Sequence, residues 1–181
     1  MQQSRVIYGI RLLEVLKESD YEAHLILTEA AKLNIRIETD YDVEAVEKMA
    51  DMVHNNANLA ASTASGSFLT RGMVVIPCTI KSLSGIVNSY NDNLLTRSAD
   101  VVLKEKRKLV LVVRETPLHK GHIRLLSKAV DFGATILPPM PAFYHRPVSL
   151  QDIIDQTVGK VLDSFGIEHD LFQRWGEIDV K

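Results

Sequence analysis

The chain has 181 residues, a length that suits one domain, 1–181, with a single core and a tail from about residue 167. A formal net charge of −2, with 46% apolar and 24% charged residues, leaves no broad basic field for nucleic acid or an anionic membrane. No apolar run is long enough to cross a bilayer, the opening MQQSRVIYG lacks a signal-peptide layout, and the one cysteine, Cys78, excludes an internal disulfide, so the expected location is the cytoplasm.

In chain order, Ile7, Ile10, Leu13 and Leu16 repeat at helical spacing and form one apolar stripe. His24–Leu27, Met73–Ile76, Leu109–Val113 and Thr135–Leu137 are short apolar runs with little alternation, as expected of strands buried on both faces. Helical segments are expected over Leu94–Lys106, over Ile123–Val130 ahead of Gly133, and from Ser149 to Gly166. Ser149 with Asp152 has the spacing of a capping box. Strands alternating with helices imply an α/β fold with a doubly wound, mostly parallel sheet in three layers.

Ligands of such sheets bind beyond the carboxyl ends of the strands. Thr28 follows the first apolar run, Pro77-Cys78-Thr79-Ile80-Lys81-Ser82 the second, Arg114-Glu115 the third, and Pro138-Pro139-Met140-Pro141 the fourth. Hydroxyls, cations and a carboxylate therefore gather at one edge of the expected sheet. His119 and His122 have a metal pair's spacing, but no carboxylate-rich partner accompanies them, and no metal is expected.

The blocks VVIPCTIKSLSGI, LLTRSADVVLKE, LVLVVRETPLHKGHIRLL and PPMPAFYHRP resemble the signature blocks of UbiX-type flavin prenyltransferases, formerly described as small subunits of aromatic-acid decarboxylases. The resemblance runs from about Ile7 to Trp175. It implies a Rossmann- or flavodoxin-like fold, a homo-oligomer of twelve subunits, and FMN bound where subunits meet. The implied activity joins a dimethylallyl group from dimethylallyl monophosphate to flavin N5 and C6 without a metal. The product serves a UbiD-type decarboxylase. A non-catalytic FMN-binding subunit of an aromatic-acid decarboxylase is the alternative.

By the same resemblance, Thr28, Thr79, Ile80, Lys81, Ser82 and Arg114 contact the flavin, and Glu115, with Glu38, serves acid–base chemistry. Tyr144, Lys160, Arg97, Lys104 and Trp175 surround the donor, Arg97 and Lys104 across a subunit boundary. Read from the residues alone, Thr28 equally suits an N-cap for a helix beginning at Glu29, Arg114 and Glu115 a surface ion pair, and Lys160 an exposed helical cation. Cys78 reads as a small buried hydrophobe with no catalytic role.

The family form opens with an apolar strand and a glycine-rich loop ahead of the helix that here starts near Val6, and only Met1–Arg5 precede it in this sequence. Ser4 is the one hydroxyl placed to stand in for that loop. The expectation is a sequence incomplete or altered at its start relative to the family form, and weak binding of the flavin phosphate.

Overall fold

The computed structural model describes residues 6–176. Its elements run α1 (Ile7–Lys17), β1 (His24–Leu27), α2 (Glu29–Glu38), α3 (Val43–Glu47), β2 (Met52–Asn55), β3 (Gly72–Cys78), α4 (Ile80–Val87), α5 (Leu94–Lys104), β4 (Lys108–Val113), α6 (Lys120–Asp131), β5 (Thr135–Ile136) and α7 (Leu150–Phe165). All strand pairs are parallel, in two ladders: β1 with β2, and β3-β4-β5.

β4 shows why the apolar runs lack alternation. Its residues Leu109, Leu111 and Val113 pack with α4, α5 and α6 through Leu83, Ile86, Val102 and Ala129. Val110 and Val112 point the other way, to Leu12 of α1 and to Ile154, Val158 and Leu162 of α7. Both faces are covered by helices, so every position of the strand must be apolar, and the three layers follow.

Each of the four expected strands is present. β2 is a strand beyond the four expected: MVHN has two apolar residues, both exposed, and carries no strand signal of its own. α1 differs too, because it is apolar on two sides rather than one. Ile10 and Leu13 face β1 and α2, whereas Ile7, Leu12 and Val15 face β4 and α7, as its position between two packed groups requires. α5 stops at Lys104, two residues short of the expected end, where Lys106 takes a positive φ of 54° and turns the chain into β4. The Ser149–Asp152 capping box forms with both reciprocal hydrogen bonds, and Gly166 ends α7 in the left-handed conformation.

Candidate functional site

Two helices begin at the carboxyl ends of facing strands. Thr28 follows β1 and caps α2, its Oγ1 accepting from the Ala31 N–H at 3.1 Å. Thr79 follows β3 and caps α4, its Oγ1 accepting from the Ser82 N–H at 3.2 Å and lying 3.1 Å from the Ser82 hydroxyl. Capping uses the acceptor side of each hydroxyl, so the Thr28 O–H remains available to donate. The first turns of α2 and α4 add partial positive charge at the same place, the arrangement that receives an anion or the polar edge of a ring.

Between β1 and β3 lies a cavity of about 1370 Å³. It runs the length of both strands, from Ala23 and Gly72 at one end to Thr28, Thr79, Lys81 and Ser82 at the other. Its walls include Leu12 and Leu13 of α1 and Val101 of α5, helices from opposite faces, so the space passes through the plane of the sheet. β1 pairs only with β2, and β3 only with β4, among the described residues, which leaves one edge of each strand turned to this space. It exceeds the roughly 300–1,000 Å³ of ordinary small-molecule sites. The polar end, at Thr28, Thr79, Lys81 and Ser82, suits a phosphate or the carbonyl edge of an aromatic ring.

Four sequence-predicted residues, Thr28, Thr79, Lys81 and Ser82, are thus brought to one end of one cavity. Ile80 is the first residue of α4, between Thr79 and Lys81. Ser4 lies outside the described residues. Arg114 and Glu115 leave β4 half-buried; Arg114 reaches the neighbourhood of the Tyr8 phenol on α1, whose pKa burial raises and the guanidinium opposes. Arg114 and Glu115 form no ion pair with each other, and Glu115 Oε1 accepts from the Thr116 N–H at 3.2 Å. Glu38 closes α2, ten residues and about 15 Å from Thr28, and does not line the cavity.

The donor candidates fall into two groups. Lys160 lines a depression of about 460 Å³ with Pro138, Met140 and Gln156, and Tyr144 meets Trp175 edge to face at 5.8 Å. Arg97 and Lys104 are elsewhere on α5. The Arg97 Nε donates to the Ala64 carbonyl at 3.2 Å, and the Lys104 ammonium lies 2.6 Å from Glu105. Neither lines the Lys160 depression, so the single chain does not join the two groups.

Residues 56–71, several of which line the cavity, were not among the expected site residues. This Asn/Ala/Ser-rich stretch has no period to follow; its one legible signal is Asn56, whose carbonyl and side chain accept from the first N–H groups of α5. His119 and His122 stack at 3.6 Å between ring centroids, and no cluster of metal-ligating residues occurs among the described ones. Nor is any described helix long and apolar enough to cross a membrane. Cys78 is fully buried, and burial pushes its thiol up to about 12. The folded protein should therefore react with a disulfide reagent at pH 8 at least about a hundredfold more slowly than the unfolded chain, whose thiol ionises near 8.5. Comparable rates would show that the thiol is accessible.

The family described as Flavoprotein matches residues 3–171. The flavin prenyltransferase UbiX of Escherichia coli is 58% identical over 175 residues, covering 95% of this chain and 93% of its own. The chain belongs to the UbiX-type flavin prenyltransferase family. A UbiX structure containing FMN and dimethylallyl pyrophosphate superposes with a TM-score of 0.92 at 45% identity, covering 94% of this chain and 90% of that one. A dodecameric FMN-dependent UbiX-like decarboxylase from Escherichia coli gives 0.93 at 45% identity, with coverage of 97% and 95%.

Proposed function

We propose that this chain prenylates FMN, moving a dimethylallyl group from dimethylallyl monophosphate to flavin N5 and C6 and supplying the product to a UbiD-type decarboxylase. The observation that carries the reading is the meeting of two capped helix N-termini with Lys81 and Ser82 at the carboxyl end of an apolar cavity, in a chain of this family. Thr28, Thr79, Ile80, Lys81 and Ser82 would hold the flavin, joined by Ser4, and Arg114 would meet its phosphate or ring edge. Reduced FMN supplies the two nucleophilic positions. Glu115 takes up and returns protons at those positions, and Glu38 assists.

Tyr144 and Lys160 bind the donor phosphate, with Trp175 as an aromatic wall. A phenol and an ammonium meet the leaving phosphate's charge directly, the task a metal ion performs in other transferases, and the reaction proceeds without one. Arg97 and Lys104 complete the phosphate site from a neighbouring subunit of a dodecamer. Exposed Leu69, Met140, Phe143 and Val148, each at least 70% accessible, provide apolar surface for such contacts.

The test is anaerobic incubation with reduced FMN and dimethylallyl monophosphate in the presence of a chelator, followed by absorption spectroscopy and mass analysis of the flavin. The expected product is FMN carrying one added five-carbon unit. Product that appears only with added divalent ion would overturn metal independence, and turnover of pyrophosphate alone would reassign the donor. Bound but unaltered flavin would favour the non-catalytic subunit. Tyr144→Phe and Lys160→Ala should each weaken the donor by about 1.5–3 kcal/mol, roughly ten- to a hundredfold in Kd, because each removes a hydrogen bond to a charged group. FMN affinity should hold, and equal losses for both ligands in parallel titrations would refute the assignment.

A further inference from the structure

The segment after α7 folds back along the helix that carries Lys160, and one carboxylate ties the two together. Arg174 places Nη2 at 2.8 Å from Asp163 Oδ1 and Nη1 at 3.2 Å from Oδ2. His169, whose side chain is only 3% exposed, brings Nε2 to 3.1 Å from Oδ1. The Lys160 ammonium lies 3.4 Å from Oδ2 on the same helix face, three residues back. Arg174 first, and then Lys160, hold the Asp163 carboxyl down to about 2 against the opposing effect of burial.

A second contact seats the tail one turn earlier. A Cβ at Gly159 would stand 2.5 Å from Phe172 Cε1 and 2.6 Å from His169 Cε1, so no larger residue admits both rings in these positions. From there the rings continue: Phe172 to His145 at 6.5 Å between centroids, His145 to Tyr144 at 5.4 Å, and Tyr144 to Trp175 at 5.8 Å. The tail and the loop bearing Tyr144 thus form one packed unit over α7.

We propose that Asp163 is a positioning residue for the prenyl donor: its carboxylate latches the tail to α7, setting Trp175 against Tyr144 and directing the Lys160 ammonium. This rests on the reading of Tyr144 and Lys160 as the donor phosphate site. Arg174 shares the Asp163 carboxylate with Lys160, so that carboxylate is not devoted to the ammonium alone. The ammonium has three N–H donors and gives one to Asp163, leaving two for the ligand.

Trp175 is the one tryptophan in the sequence, so its fluorescence reports on the tail without any ligand or turnover. The test compares Asp163→Asn, Gly159→Ala and Asp163→Glu with the parent, each in its native oligomer. Alanine is the better helix former, so Gly159→Ala displaces the tail while leaving α7 intact, which circular dichroism verifies. Acrylamide quenching of Trp175 should rise about twofold in Asp163→Asn and Gly159→Ala, and donor KM about tenfold, with FMN affinity and kcat nearly unchanged. Asp163→Glu, which keeps the charge, should recover most of both. Unchanged quenching in both disrupted variants overturns the latch. Raised quenching with donor KM unmoved, or an equal fall in FMN affinity, overturns the positioning role. If the parent shows no transfer at all, the functional reading fails, and the quenching result still decides the latch.

Discussion

Glu115→Gln protein should bind FMN like the parent and form prenylated flavin at least about a hundredfold more slowly, the lower end of what a positioned acid–base group contributes. The substitution keeps the size and planarity of the side chain and removes its ability to take up a proton. Its neighbourhood makes the experiment clean. Buried Leu109–Val113 fix the strand that delivers the residue, and Glu115 has no ion pair with Arg114 for the change to disrupt. Loss of activity should therefore appear without loss of flavin, measured by FMN titration beside single-turnover product formation. Product within a factor of two of the parent would remove Glu115 from the proton-transfer role.

β4, and the position of Glu115 just after it, were legible in the sequence for the same reason. A strand covered on both faces must be a continuous apolar run, and whatever follows it is placed at the sheet's carboxyl edge. Thr28, directly after one such run, and Thr79, in the short segment after another, were legible by position; that each is a helix cap facing the same cavity depends on β1 and β3 being opposed, which no local pattern encodes. β2 was not legible, because MVHN is held by pairing with β1 rather than by burial of its own side chains. The Asp163 latch was hidden for a related reason: its partners come from a tail without periodicity. One sign of it was present. Gly159 sits inside a helix, where glycine costs roughly 0.5–1 kcal/mol relative to alanine, and the rings of His169 and Phe172 against it supply the reason.

The slot between β1 and β3 sets up the largest expected change in stability. α1 starts beside the end of β3: a Cβ on Gly9 would lie 2.8 Å from the Ile76 carbonyl oxygen. Chain entering α1 from within the slot must therefore run toward the carboxyl ends of β1 and β3, parallel to both, and its turn into the helix would fall beside Thr28 and Thr79. Strand, α1 and β1 would then form the right-handed crossover that parallel sheets favour. An added segment of five or six Val and Ile residues, joined ahead of Met1 by a glycine-containing turn, should occupy this space and pair with both open edges. Four or five side chains buried at about 1.5–3 kcal/mol each amount to roughly 6–15 kcal/mol, an upper bound because the unfolded chain is itself partly compact. Even about half the lower figure corresponds to a rise of roughly 6–12 °C in Tm for a chain of this size. FMN affinity should rise with it, because the glycine turn adds backbone N–H donors where the flavin phosphate is proposed to sit. A polar segment of the same length, rich in Ser and Asn, is the control and should raise neither. Equal Tm and FMN affinity for the apolar and polar fusions would show that the slot does not take up a strand, and that the edges of β1 and β3 are satisfied in another way.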